Sequence, residues 1–589
     1  MASIVVNGDT SGSVTLSAPA VAGTVTVTLP SASGTMAVSG GSPSFTTITT
    51  TSDASISGLT VGKGGGAVSN NTAVGASAFA SASNSGGYGV AVGTSAGASN
   101  TTASGTTALG WSALQANTTG SNNVSVGADT MFSNSTGGTN VAVGNSALRS
   151  NTTASSNTAI GYQAGYSNTT AGNIVYVGYQ SGYSNTTGNN NTGVGILSLY
   201  ANTTGSENVA LGRQALQANT TGSNNLAVGY QAGYSNTTGD IEAVGYQALY
   251  ANTTGIRLTA MGYQALNANT TGGYNTAFGF QAFKSITTAT ENSAFGYQAG
   301  FSNTTGSENT AIGSSALYSS TTATSNVAVG RRALYANTTG EANTAVGHSA
   351  GTVNTTGSYN ALFGAYAGQS VTTGSRLCLI GEAAGSNVTT ANYTTLVGDN
   401  AGNSITSGSS NTCIGREAGY NLTTGTGNIH IGYSTTASSV SVNYEIVIGT
   451  SPTGKGGNTG YINPNGGGVY QGNNSSSWST TSDQRLKKNI VDNTEGLDKI
   501  VQIRVRNFEY RTAEEVTELP AHTVIDKQGV QLGVIAQELQ EVCPDCVKTE
   551  TTGVISVDSD NIFWHMVNAI KDLKAELDTV KAELAALKG

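Results

Sequence analysis

Two groups of side chains in this 589-residue chain have the types and spacing that could do chemistry. In Thr481-Ser-Asp-Gln-Arg-Leu-Lys-Lys-Asn-Ile490 a serine, Ser482, stands five residues before a lysine, Lys487. A serine hydroxyl becomes a useful nucleophile only when a base takes its proton, and a lysine can be that base where burial or cationic neighbours lower its pKa. Arg485 and Lys488 are the cationic neighbours at hand. Two helical positions five apart lie about 140° from one another, so the pair must meet in a loop or between chains. Alone, such a motif is usually a solvated charge cluster beside a helix or strand start. The second group is Cys543-Pro-Asp-Cys546. A zinc site needs two more ligands, but there is no second CxxC or close histidine pair, and His522 and His565 stand isolated. A redox motif would want a thioredoxin-like βαβ setting, which is missing. With Cys378 and Cys413 these read as ordinary cysteines, and neither metal nor cofactor is expected. Only 13 acidic residues precede residue 480, with no evident pair suited to glycoside hydrolysis.

The elements that must carry these residues are set by a repeat. Only 9% of the chain is charged, 7 residues are proline and 80 are glycine. That composition suits stacked backbone better than a bulky core or a charged disordered chain. A register glycine recurs at Gly144, Gly161, Gly178 and Gly195, and in all from Gly75 to Gly449. Each step is 17 residues except the first, which is 18, and Gly229 to Gly245, which is 16. A 17-residue unit is too short for a helix pair and has no heptad seam. It holds two β-like runs, the apolar approach to the glycine and the Tyr-Gln-Ala-x-Tyr stretch after it, followed by Asn-Thr-Thr-Gly as turn. The expected fold is therefore mainly β, a β-solenoid or β-roll shaft with one coil per chain or a coil shared by three chains. Its 22 intervals at about 4.8 Å imply roughly 105 Å. Tyr162, Tyr179, Tyr230, Tyr246 and Tyr263 directly follow register glycines and should stack into ladders. The alternative for those rings is an exposed platform for carbohydrate. The Asn-Thr-Thr repeats at Asn168, Asn202, Asn219 and Asn252 match the glycosylation acceptor, but turn formation is the better reading without a secretion signal.

Composition changes near residue 480. The last 107 residues hold 13 of the chain's 23 basic and 19 of its 32 acidic residues. The expected organisation is an N-terminal β region at 1–62, including a strand at Thr24–Leu29, and the repeat shaft at 63–453. A linker at 454–479 and a small α+β domain at 480–589 follow. The last helix places Phe563, Met566, Ile570, Leu573, Leu577, Val580, Leu584 and Leu587 at alternating spacings of three and four, a coiled-coil seam.

Ser482-Asp-x-Arg-Leu-Lys487, the block Gly533-Val-Ile-Ala-Gln-Glu538 and the terminal heptads, in that order, resemble the intramolecular chaperone domain of phage tailspikes and fibres of the endosialidase type. The resemblance covers roughly residues 478–589. It implies a domain that trimerises the β-structured chain ahead of it and then releases itself as a serine peptidase acting in cis for one turnover. Ser482 and Lys487 match the catalytic positions, and Asp483 and Arg485 match further motif positions. The cysteines depart from the pattern without touching that chemistry.

The implied protein is a virion tail fibre subunit for host attachment, assembled in the host cytoplasm. Its expected partners are two further copies in a homotrimer, virion tail components and a host surface glycan or other receptor. The N-terminal region would attach to the virion. A net charge of −9 and the lack of a basic run with interleaved aromatics argue against nucleic acid. No export signal or membrane span is visible, which argues against membrane insertion and against the alternative of a bacterial trimeric surface adhesin. A structural spacer fibre without a receptor is the other alternative.

Overall fold

The computed structural model describes residues 54–589, apart from 57–58, 238, 465–467, 473–478, 481, 520–524, 526 and 551–552. The strand expected at Thr24–Leu29 lies outside the described residues. The chain divides into two compact units, Met1–Ser479 and Thr480–Gly589.

The first unit is a β-solenoid of about 23 turns. Each rung contributes one short strand ending at the register glycine, from Thr72–Val74 to Ile446–Gly449, and successive strands pair in parallel. Val141, Ala142 and Val143 lie opposite Thr158, Ala159 and Ile160, a shift of one repeat. Where the repeat is 18 residues Val74 meets Val92, and where it is 16 Val228 meets Val244, so both irregularities are absorbed between strands and the pairing holds. The middle residue of each strand faces inward and is usually alanine. Every coil closes within one chain, which decides between the two coil types in favour of the single-chain form.

The stretch after the register glycine is not a second strand. In the rung of Gly161 the backbone takes positive φ at Gly161 (135°), Gln163 (54°) and Gly165 (60°). The inter-rung hydrogen bonds continue regardless: Gln163 N–H donates back to the Asn145 carbonyl, and Gly165 N–H forward to that of Ser181, each at 2.9 Å. Alternating handedness turns every second amide toward opposite neighbours, with Ala164 N–H between them donating to the Gly161 carbonyl of its own rung, and curls the chain within a few residues, where an extended run would widen the coil beyond what alanines fill. From Gly75 to Gly415 these second and fourth positions after the glycine never hold Val, Ile or Thr, the residues least tolerant of positive φ. The register glycine is needed twice over, because a Cβ on Gly161 would also lie 2.4 Å from the Gly178 carbonyl oxygen.

The Asn of Asn-Thr-Thr is more than a turn former. Asn134, Asn151 and Asn168 are fully buried. Asn151 Nδ2 donates to Asn134 Oδ1 at 2.7 Å and to the Ala154 carbonyl at 3.1 Å, and Asn168 Nδ2 donates to Asn151 Oδ1 at 2.8 Å. A second column runs through Asn123, Asn140 and Asn157, whose side-chain oxygens accept the next rung's backbone N–H. Thr152 Oγ1 caps the neighbouring carbonyl of Thr169 at 3.0 Å, and the pattern recurs along the shaft. Burial of Asn168, Asn202, Asn219 and Asn252 also removes them as accessible glycan acceptors. Toward the far end the first column becomes apolar, through Val371, Val388, Ile405 and Leu422.

Aromatic columns form as spacing implies. Tyr246, Tyr263, Phe280 and Tyr297 stack with centroids 5.0–5.4 Å apart and planes within 9°. Each inner ring has neighbours over its faces, so the column presents ring edges outward. That is ladder geometry; a sugar-stacking platform needs free faces.

Both ends change from parallel rungs to antiparallel pairs. Leu59–Gly62 pairs with Ala54–Ile56 and with the first rung. The segment read as a linker contributes Gly460–Asn463, parallel to the last rung, and Val469–Gln471, antiparallel to that strand. Glu445, fully buried where the second Asn column would continue, accepts from Ser438 N–H at 3.0 Å and Gly456 N–H at 2.7 Å.

The second unit contains helix α1 (Leu497–Ile500), the hairpin Arg506–Phe508 with Gln531–Gly533, and helix α2 (Ala536–Val542). A 3₁₀ turn (Pro544–Cys546), the hairpin Val547–Thr549 with Ile555–Val557, and helix α3 (Ser559–Lys588) complete it. Its small core gathers Leu539, Cys543 and Cys546 against Ile503, Val534 and Ile562. Arg506 clasps Glu538 with two hydrogen bonds, at 2.8 and 3.1 Å, joining the first hairpin to α2.

Two predictions follow from the packing of the shaft. Tyr176 occupies a strand centre that is usually alanine, and Gly182 occupies the position filled elsewhere by residues such as Leu148, with a hypothetical Gly182 Cβ 2.3 Å from the Tyr176 ring. Gly182→Leu should cost about 1–3 kcal/mol by overpacking, and Tyr176→Ala about 3–5 kcal/mol. The double mutant rebuilds the ordinary rung and should fall short of the summed cost by more than about 0.5 kcal/mol in denaturant melts.

His430 is a fully buried strand centre between Cys413 and Val447, and neither ring nitrogen has a hydrogen-bond partner among the described residues. Burial pushes its pKa down to about 4, only partly opposed by Glu445. The unfolded chain therefore binds this proton more readily: the stability is present above about pH 6.5 and is lost as pH falls toward 4, on the order of 3 kcal/mol in all. Thermal melts at pH 7.5 and 4.5 should show this loss, and His430→Leu should reduce it.

Candidate functional site

The segment from Ser482 to Lys487 folds as a loop around the 3₁₀ turn Gln484–Leu486. Asp483 caps that turn: its Oδ1 accepts from Arg485 N–H at 2.8 Å, and its backbone carbonyl accepts from Leu486 N–H at 3.0 Å. The Arg485 guanidinium folds back on the same carboxylate, Nε to Oδ1 3.0 Å and Nη2 to Oδ2 2.5 Å. Arg485 thus holds the Asp483 carboxyl below its ordinary pKa, and the carboxylate raises that of Arg485. Lys487 N–H closes the turn on the Gln484 carbonyl at 3.1 Å. The chain leaves the turn beside its point of entry, and Lys487 Nζ lies 2.5 Å from Ser482 Oγ.

This brings together the four residues the sequence singled out, in a loop and off any regular helix. Their parts differ from expectation in one respect. Arg485, read as a cation able to depress the lysine, spends its charge on Asp483, so the two form the brace of the turn. Ser482 and Lys487 are both exposed in the single chain. The arrangement supplies proximity and a proton route from hydroxyl to amine. A neutral amine additionally needs removal from water.

The cysteine pair has company that spacing did not reveal. His565, on the first turns of α3, is buried against the CxxC turn, with Nε2 2.8 Å from Asp545 Oδ2 and Nδ1 2.9 Å from the Glu495 carbonyl oxygen. That carbonyl and then the Asp545 carboxylate raise the imidazole pKa, and His565 in turn holds Asp545 low. Cys543 and Cys546 are joined as a disulfide. His522 lies outside the described residues. In sequence His565 stands 20 residues from Asp545, and the one available signal was its position facing inward at the start of a helix whose seam faces out.

On α3 the seam residues Phe563, Met566, Ile570, Leu573, Leu577, Val580, Leu584 and Leu587 are all exposed. The root of the helix is pinned to the unit by Asn568 Nδ2 donating to the Asn493 carbonyl at 2.8 Å and by Asp572 Oδ2 accepting from Leu497 N–H at 2.9 Å. Among the described residues no helix is long and apolar enough to cross a membrane.

Comparison with known families matches residues 482–548 to the family model described as chaperone of endosialidase, a family of self-cleaving intramolecular chaperones. The match begins at Ser482 and ends within the second hairpin. A domain of this kind behind a β-solenoid of about 23 turns fits a tailspike or fibre with a C-terminal chaperone domain.

Proposed function

We propose, from that C-terminal match, that the chain is a bacteriophage tail fibre subunit whose last domain assembles three copies and then cuts itself away. The observation that carries this reading is the contact of Lys487 Nζ with Ser482 Oγ at 2.5 Å, at the start of the matched segment. Ser482 is the nucleophile and Lys487 its base. As the Oγ–carbon bond forms on an adjacent peptide carbonyl, the hydroxyl proton passes to the Lys487 amine and then to the departing amide nitrogen. Water hydrolyses the resulting ester. The carbonyl is tethered beside its own nucleophile, so proximity replaces a substrate pocket and a large part of the barrier is met by effective molarity. The reaction consumes its own substrate and runs once, in cis.

Exposure of the pair in the single chain fits a reaction that waits for assembly. Both groups face solvent in the single chain, and association of copies through the α3 seam is the step proposed to withdraw them from water. Eight exposed apolar positions on one 30-residue helix support association of copies. The released shaft then persists kinetically, without the element that assembled it. In the virion the N-terminal region joins the shaft to tail components. The exposed tyrosine edges and distal end meet a host surface glycan or other receptor.

Mass spectrometry of the expressed protein should find one fragment ending at residue 481 or 482 and a second beginning at the next residue, and Ser482→Ala and Lys487→Ala should leave the chain intact. An uncut wild-type assembly, or normal cutting in the serine variant, would sink the mechanism. Leu577→Asp, in mid-seam, should shift the chain from trimer to monomer in sedimentation and lower the cut fraction by more than about tenfold, since a buried charge at a seam position costs several kcal/mol. Complete cutting of a monomeric variant would separate cleavage from assembly.

A further inference from the structure

We infer that Cys543, Cys546, His565 and Asp545 form a four-ligand site for Zn²⁺, which ties the CxxC turn to the root of α3. One ligand atom from each of the four residues lies within 4.8 Å of all the others. Both cysteines and His565 are buried, so three of the four donors are already withdrawn from water. The two cysteines flank one 3₁₀ turn with Cα atoms 5.3 Å apart, a spacing that lets both sulfurs face one point. Two sulfurs, one imidazole and one carboxylate suit Zn²⁺ in tetrahedral coordination and do not suit Mg²⁺ or Ca²⁺, which take oxygen ligands.

The histidine carries the argument beyond a cysteine pair. Its Nδ1–H donates to the Glu495 carbonyl at 2.9 Å, which leaves the lone pair of the neutral ring on Nε2. That nitrogen lies 2.8 Å from Asp545 Oδ2, so the ring nitrogen left free by the backbone bond and the carboxylate converge beside the two sulfurs. A backbone carbonyl that fixes the tautomer of a ligating histidine is a common orienting device at metal sites. Lys499, ion-paired with Glu495, also brings its Nζ to 3.4 Å from Asp545 Oδ1, beside the carboxylate of the cluster. A cleft of about 220 Å³, lined by Asn493, Asp545, Asn561, Trp564, His565 and Asn568, gives solvent access to the carboxylate and imidazole side.

Disulfide and metal are alternative uses of the same two sulfurs. A newly made chain carries thiols, and zinc binding is a reaction of that state. Two S–H bonds break, two Zn–S bonds form and two protons pass to solvent, with no electron transferred. A disulfide makes no use of His565 and Asp545, whereas a metal uses all four groups. The ion would link residues on either side of the second hairpin and fix the start of the helix whose seam lies exposed.

The test uses the full-length chain, purified under reducing conditions with free thiols verified by titration. Atomic emission should find about one zinc per chain, and cobalt substitution should give a thiolate-to-cobalt charge-transfer band. Cys546→Ser should abolish the band, and His565→Gln should weaken metal retention by at least about 10–100-fold. Because the cobalt titration on wild type needs no variant to fold, it decides the case alone. Reduced wild type that retains no zinc and gives no thiolate band overturns the site. Unchanged retention in His565→Gln overturns the four-ligand assignment.

Discussion

The shaft depends on one constraint: each rung must hydrogen-bond to the rungs before and after it while turning tightly enough to close on a core of alanines. A glycine at the corner answers both halves. Gly161 takes a φ of 135° that side chains rarely adopt, and its neighbour Gly178 sits where any Cβ would strike backbone. Because the same corner recurs in every rung, one local solution repeated gives the whole coil, and each rung's stability rests mainly on its immediate neighbours.

A core this thin cannot be stabilised by bulky apolar burial alone. Polar columns take up the difference. Most of the asparagines bond to one another and to backbone carbonyls, as Asn151 does with Asn134 and Ala154, while Asn219, Asn269 and Asn354 keep a side-chain oxygen without a partner among the described residues. A fully connected buried network is favourable, and a half-connected one is not. The column is interrupted by Ile286 and Ser320 and gives way to Val371, Val388, Ile405 and Leu422 at its far end. Large residues are accommodated in the same spirit, Tyr176 against Gly182 and Phe283 against Gly300.

The terminal unit obeys different rules. It is charged, has a small core and leaves the apolar seam of α3 uncovered. The two side-chain clusters proposed to do chemistry both include a short turn. Asp483 and Arg485 brace the turn that sets Lys487 on Ser482, and the Pro544–Cys546 turn sets two sulfurs beside His565. The first turn is held by its capping residues, whereas the second sits in the small core that Leu539, Cys543 and Cys546 form. Shaft and terminal unit thus divide the work in the proposed function: the shaft persists through repetition, and the unit behind it acts once.

Much of this was legible in the residues alone. The 17-residue glycine period determined the coil, its register and even the 16- and 18-residue irregularities, because stacking makes equivalent positions neighbours whatever else happens. The aromatic columns follow for the same reason. Ser482 and Lys487 were readable as a pair that could meet only off a regular helix. What tertiary structure decided is what depends on which way the chain turns between the periodic points. The Tyr-Gln-Ala-x-Tyr run proved to be alternating turns, since its composition permits strand as well as positive φ and only coil closure selects. Burial of the asparagines, closure within one chain and the strands in the segment read as a linker were likewise set by the closed coil. His565 reached Cys543, Asp545 and Cys546 only because a hairpin folds α3 back across the CxxC turn. A contact made by that return leaves no local pattern in the sequence, whereas a repeat states its contacts many times.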